Sequence, residues 1–420
     1  MIDSHLRTLQ ILSAHMKLLL DAPEQLWRLI EREKYFQAAW LFLLARVVHR
    51  ALIRDDALDE KSWINQGVDV LVSHLYYTFV LCIQTLSQEQ FPLIQRQWET
   101  FSRFRTQIIH RATLSLRAIE KPYQVRVFFG RSASSYSTFQ ETCATLLTLH
   151  ILESRPLADT LTIYLSRRTE TLNNLLTKGG DVFGQSDHAG HPTKVQGPLE
   201  KAAHSQHAVR PVAVKRSVQV ILESISQTLH AAREIFGVSS TASPLATRVL
   251  EHIQAESPCP STGHTLPTEL LINSQTVLSM LPSAAYSSLL PLNIRSYKPF
   301  VDLSSSSSLC PKVLEEKLVS WFSLSTQGLR DTVHGAFSLL PAIDGVWKVQ
   351  LALQKGMSHC SLDHNELVVL GDLVDKVAKK RIMEIWKSTL AIAEKAFIEK
   401  LSLLLPEDVA GMVILSTGDQ

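Results

Sequence analysis

An all-α fold is predicted, and three features of the sequence predict it. Apolar residues recur at three- and four-residue spacing through most of the 420 residues. The segments that carry this spacing are set apart by Pro, Gly and Ser clusters. The most β-like stretch, VRVFF at 125–129, is isolated and has nothing to pair with, so it reads as linker or as the start of the next helix. The expected architecture is an elongated array of short helical bundles, with helices of the first half packed pairwise. No repeat of fixed period marks a regular solenoid.

Taken in order, the chain opens with Leu9, Leu12, Met16 and Leu19 at 3-4-3 spacing on one helical face. Asp21-Ala22-Pro23 is expected to end that helix, because proline lacks an N–H and crowds the preceding turn. A second segment carries Leu26, Leu29 and Ile30 opposite Glu24, Arg28, Glu31 and Arg32. The third, from Tyr35 to Val48, has an apolar arc too wide for a surface helix and should pack on more than one side. Residues 65–86 hold Val68, Leu71, Leu75, Phe79, Cys82 and Leu86 on one face. Residues 91–116 continue with Ile94, Trp98, Phe101, Ile108, Ala112 and Leu116. Arg103, Arg105 and Arg111 on the other sides fit either a solvated face or an acidic partner or lipid headgroup.

Two helices follow, split at Pro156, the second marked by Leu161, Tyr164, Leu165, Leu172 and Leu175. The region 1–177 is thus a first helical region. Residues 178–211 are rich in Gly, Pro and His with almost no apolar periodicity, and read as a disordered linker. A second helical region covers 212–404. It comprises helices at 212–238, with Gly237 as C-cap, at 245–253, at 269–281, from 314 to beyond Trp347, and at 367–404. A loop rich in Pro and Ser lies at 282–311. In the last helix Trp386, Leu390, Ala393, Phe397 and Leu401 step by 4-3-4-4. Residues 405–420 read as a frayed tail.

Composition excludes several classes of function. Lys and Arg number 42 against 40 Asp and Glu, so no basic field for nucleic acid is present. The five cysteines are dispersed, the nearest two being 50 residues apart at Cys310 and Cys360. That count has no CxxC pair and suits free thiols in a reducing compartment. Cys82 and Cys143 sit on apolar faces as small buried hydrophobes. The first ten residues lack the basic start and apolar run of a secretory signal. The longest apolar run, 38–45, falls far short of the ~20 residues that span a bilayer. Membrane attachment is therefore expected to be peripheral or through partners.

Motifs that carry a mechanism are missing. The chain has no GxxxxGK[ST], GxSxG, HExxH or EF-hand loop, and no paired carboxylates. Its one metal-like feature is His188-x-x-His191 with His204-x-x-His207, four imidazoles that match the ligand number of zinc. They fall in the least structured stretch, where the second-shell support of a metal site is missing. His15, His49, His74 and His110 stand singly on helices. No catalytic residue, cofactor or metal site is assigned.

The stretch MKLLLDAPEQLWRLIEREKYFQAAWLFLLARVVHRAL resembles the family of subunit one of the conserved oligomeric Golgi tethering complex. The matching residues are Leu18, Leu19, Leu20, Pro23, Trp27, Tyr35, Ala38, Leu41 and Leu44. The resemblance returns at Glu153-Ser154-Arg155-Pro156 with Leu161 and Leu165, in VQVILESISQTLHAAREIFGV, and in GLRDTVHGAFSLLPAIDGVW ending at Trp347. In pieces it covers residues 6 to about 404. Members of the family carry further helices upstream and continue past the point where this chain stops, so the chain is expected to lack part of both ends.

The resemblance implies a non-catalytic subunit that supports tethering of retrograde vesicles within the Golgi and Golgi integrity. Its implied partners are the other subunits, on the cytosolic face of the Golgi membrane and without nucleic acid or small-molecule substrate. The residues expected to contact a partner helix are Leu9, Leu12, Met16 and Leu19; the same residues also fit an intramolecular core. Two readings of other classes stand beside this one. The first is a metal-binding enzyme using His188, His191, His204 and His207, and the second an unrelated helical adaptor.

Overall fold

A computed structural model describes residues 2–53, 92–117, 133–184, 211–238, 243–255, 266–267, 269–301 and 309–404. Among the described residues every regular element is helical, and the fold is all-α. The elements are α1 (Ile2–Glu31), α2 (Tyr35–Ile53), α3 (Pro92–Ser115), α4 (Ala133–Glu153), α5 (Leu157–Gly184), α6 (Pro211–Phe236) and α7 (Leu245–Gln254). After α8 (Ser274–Ser279) come a 3-10 turn (Ala284–Leu289), α9 (Leu292–Arg295), α10 (Pro311–Ser338), α11 (Ile343–Met357) and α12 (His364–Leu404). The chain forms two compact units, each from two stretches. Unit 1 takes Met1–Arg168 and Ala231–Lys317; unit 2 takes Thr169–His230 and Leu318–Gln420. The expected helix at 65–86, the 125–129 stretch and the 405–420 tail lie outside the described residues. Helix α5 continues through Gly184, into the stretch read as linker, because propagating an established helix costs little per residue.

Unit 1 corrects the expected break at Pro23. Helix α1 runs unbroken from Ile2 to Glu31 with the proline inside it. The reason is a single buried row of Ala14, Leu18, Ala22, Leu26 and Leu29, none more than 4% exposed, that continues on both sides of the proline in a helix packed on α2 and α3. Burial of that row outweighs the one backbone hydrogen bond that Pro23 removes. The helix ends in a Schellman turn. Lys34 N–H bonds the Leu29 carbonyl at 2.9 Å and Glu33 N–H the Ile30 carbonyl at 3.1 Å, with Glu33 at φ 60° where glycine is usual.

Helix α2 is covered on several sides, as its wide apolar arc predicts. It packs on α1, α3, α4 and α8, and Phe36, Ala38, Ala39, Trp40, Leu41, Phe42 and Leu44 are all buried. Trp40 Nε1–H donates to Ser274 Oγ at 3.0 Å, which ties α2 to the start of α8. Helix α3 opens on Pro92, where the missing N–H costs nothing. Its aromatic side chains stack on α2: Phe101 on Phe42 at 5.3 Å and Trp98 on His49 at 4.0 Å between ring centroids. Arg105 donates from Nε and Nη2 to the Leu152 carbonyl at 3.2 and 2.8 Å, satisfying an orphan acceptor in the last turn of α4. Arg105 is therefore a helix cap, while Arg103 and Arg111 are exposed.

The helix expected at 269–281 shrinks to α8, Ser274–Ser279. Asn273 accepts from Thr276 N–H at 2.7 Å and its own N–H donates to Thr276 Oγ1 at 3.1 Å, a capping box that fixes the start of the helix. Within 282–311, read as loop, the 3-10 turn and α9 are both short.

Two buried imidazoles make unit 1 sensitive to acid. His15 is 2% and His49 7% exposed. Burial pushes both below the ordinary imidazole value of 6.5, with the charge of Arg50 adding to the shift at His49 and the Ile11 carbonyl opposing it at His15. The folded state holds both neutral, so below that value the unfolded chain binds protons in excess. Stability is expected to be full above about pH 7 and to fall as the pH drops through 6.5. Urea midpoints at about pH 7.5 and about pH 5.5 check this, and His49→Gln should narrow the gap between them.

In unit 2, α11 and α12 pack along Val346, Val349, Leu353 and Met357 on one side and Leu370, Val374 and Ala378 on the other, all buried. Gln350 and Gln354, one turn apart, both donate to Asp375 Oδ1 at 2.8 Å. Arg381 repeats the capping device of Arg105, bonding the Leu340 carbonyl at 3.2 and 3.0 Å. Helix α12 starts three residues before the expected Leu367 because Glu366 accepts from Asp363 N–H at 3.0 Å. In the same unit Trp321 Nε1–H donates to Thr169 Oγ1 at 2.9 Å.

The described cysteines differ in access. Cys143 is fully buried, Cys310 exposed and Cys360 half-buried. Burial pushes the Cys143 thiol up to about 12 and also raises that of Cys360. Thiolate is the reacting species, so Cys310 is expected to react first with a thiol reagent, Cys360 slowly, and Cys143 only on unfolding. Mass mapping of alkylated peptides with and without denaturant reads this order. Cys82 lies outside the described residues.

Candidate partner interface

Helix α1 carries leucine on two faces, and the structure separates them. The inner face is the row from Ala14 to Leu29. The outer face holds Leu6, Leu9, Met16, Leu20 and Trp27. Leu6 is 53%, Leu9 60%, Leu20 55% and Trp27 45% exposed, and Met16 is half-buried. These five fall on alternating three- and four-residue steps, with Ser13 and Pro23 filling the remaining two positions. At 100° per residue they form one stripe along the helix, the spacing of a two-helix seam.

The four residues singled out from the sequence are divided by this arrangement. Leu9 and Met16 lie on the outer stripe, Leu12 is half-buried at its edge, and Leu19 is 6% exposed, within the core of unit 1. Leu6, Leu20 and Trp27 are the outer residues that the 3-4-3 pattern missed. Their signal is the longer heptad row, which becomes visible once Pro23 is allowed inside the helix.

The stripe is held at its Trp27 end and beside its middle. Trp27 meets Phe104 edge-on at 5.4 Å between centroids, so its ring is fixed while its outer side stays open. Lys17, beside the stripe, places Nζ 3.3 Å from the centre of the Tyr286 ring. Arg28 and Glu24 form an exposed ion pair at 2.6 Å, worth at most about 0.5 kcal/mol. The flank is thus charged and wet, and the stripe apolar, the usual division between rim and centre of an interface.

Among the described residues no group of three or more His, Cys, Asp or Glu side chains is placed to hold a metal ion. His188, His191, His204 and His207 lie outside the described residues. A hollow of about 180 Å³, partly open to solvent, is lined by Ala14, Leu18, Leu278, Leu281, Tyr286 and Leu290. Among the described residues no helix is long and apolar enough to cross a membrane.

The chain is similar to Conserved oligomeric Golgi complex subunit 1 of Mus musculus, with 20% identity over 404 residues. The aligned part is 94% of this chain and 32% of the mouse protein, so the chain spans about a third of the length of the curated relative it matches. No protein-family model and no solved structure matches the chain.

Proposed function

We propose that the chain is a non-catalytic subunit of the conserved oligomeric Golgi complex, supporting intra-Golgi retrograde vesicle tethering and Golgi integrity through helix–helix contacts with other subunits. The observation that carries this reading is the outer stripe of α1, an apolar seam on a helix whose other face is already buried. A tether subunit needs such seams and needs no catalytic group. The mouse relative, aligned along nearly the whole chain, gives the reading its complex.

In this reading Leu9, Met16 and Leu20 enter the partner, Leu6 and Trp27 close the ends of the contact, and Leu12 lines its inner edge. Leu19 supports the helix from beneath. The chain is held peripherally at the cytosolic face of the Golgi membrane by its partners. Purification of the tagged chain from its own cells tests the reading. It should bring down the other subunits of that complex, and a chain recovered without them contradicts it.

A further inference from the structure

Among the described residues nothing covers the distal half of α12. From Trp386 to Lys400 every residue is exposed. Met383 and Trp386 are 54%, Leu390 55% and Phe397 65% open to solvent. The proximal half is anchored in the core of unit 2 by Leu370, Val374 and Ala378. A helical segment of about fifteen residues this exposed is marginal in water on its own. A contiguous apolar row on such a segment marks a surface that is covered by another chain.

The row is complementary to itself. Met383, Leu390 and Phe397 recur every seven residues, and Trp386, Ala393 and Lys400 follow each by three; these are the two core positions of a heptad. In an antiparallel pair the first set faces the second. The register that sets Leu390 against Ala393 of a second copy also sets Phe397 against Trp386 and Met383 against Lys400. Large meets small at the centre and ring meets ring on either side, while the lysine stem lies along methionine with its ammonium reaching water.

The flanking charges agree with this register. Lys387 and Glu394 occupy equivalent positions beside the seam, and antiparallel pairing brings Lys387 of each copy to Glu394 of the other. On the opposite flank Thr389 meets Ala396, with no charge to oppose. Parallel pairing would instead stack Lys400 on Lys400 and form no Lys387–Glu394 contact. Ile392 and Ile398 stand outside the seam as isolated exposed apolar side chains, which are ordinary. We infer that residues 383–400 of α12 form an antiparallel two-helix pair with a second copy of this chain. The match of charge and size along one sequence makes a second copy the complementary surface.

Sedimentation equilibrium of the full chain over a range of concentrations tests the pair. A monomer–dimer equilibrium is expected. Lys387→Glu should weaken it about tenfold, since two attractive contacts become two repulsive ones. Adding Glu394→Lys to that variant should restore the original affinity, because the charges are exchanged rather than removed. Both positions of this comparison are exposed, and circular dichroism confirms that helix content is unchanged. A monomer at every concentration up to on the order of 100 μM would overturn the inference. So would a dimer that ignores Lys387→Glu, or one that the double exchange does not restore. A monomeric chain whose α12 face is taken by a different protein overturns it as well.

Discussion

Trp40→Ala is expected to destabilise unit 1 by about 3–5 kcal/mol, the range for deleting a large buried aromatic side chain. Trp40 is 1% exposed and meets Phe36 edge-on at 6.2 Å between centroids. Its Nε1–H is the donor that Ser274 Oγ accepts, and Ser274 in turn donates to the Tyr297 carbonyl. Truncation leaves a cavity in the middle of α2 and unties the start of α8 in one step. Trp40→Phe keeps most of the ring and removes the hydrogen bond, so it should cost less, about 1–3 kcal/mol. Chemical denaturation followed by circular dichroism measures both. Equal losses for the two variants would mean that the ring contributes little beyond its hydrogen bond.

A charge placed on α1 should act in opposite ways on its two faces. Leu19→Asp puts a carboxylate where the side chain is 6% exposed, and should destabilise the fold by about 3–5 kcal/mol. Leu9→Asp changes a residue that is 60% exposed, and should alter stability by less than about 0.5 kcal/mol. Its effect belongs to association, where a carboxylate desolvated in an apolar seam is costly. Leu12→Asp lies between the two and should show a part of each effect. Melting curves together with co-purification separate these cases. If Leu9→Asp and Leu19→Asp lower stability alike, the assignment of inner and outer faces fails.

The helices were largely legible in the sequence, because three- and four-residue spacing reports amphipathicity directly. The helix expected from Val212, which opens one residue earlier at Pro211, the extent of α7, the split at Pro156 and the many-sided burial of α2 all follow from such patterns. Pro23 sits inside α1 against its local preference because tertiary packing decides there. The buried row from Ala14 to Leu29 runs on either side of it and holds both halves in one helix. The expected helix at 269–281 lost its first turns to the capping box of Asn273 and Thr276, a signal present in the sequence as N-x-x-T. The end of α1 turns through Glu33 at positive φ, with no glycine to announce it.

The candidate interface was legible only in part, for a physical reason. Leu9, Leu12, Met16 and Leu19 satisfy a heptad on paper, and so do Leu6, Leu9, Met16, Leu20 and Trp27. A helical wheel does not say which stripe is covered. That depends on where α2 and α3 lie, which local sequence does not state. The distal half of α12 presents the same situation in reverse. Its 4-3-4-4 row of Trp386, Leu390, Ala393, Phe397 and Leu401 was plain in the sequence, while the exposure of Trp386 to Phe397 needed the fold.

The central claim is that the outer stripe of α1 joins this chain to the other subunits of the conserved oligomeric Golgi complex. Its most direct test is a quantitative affinity purification of the tagged wild-type chain and of the Leu9→Asp, Leu20→Asp double variant from the same cells. Wild type should recover those subunits by mass spectrometry. The double variant should melt as wild type does and recover at least about tenfold less of them. Recovery of none by the wild-type chain, or equal recovery by both, would contradict the account.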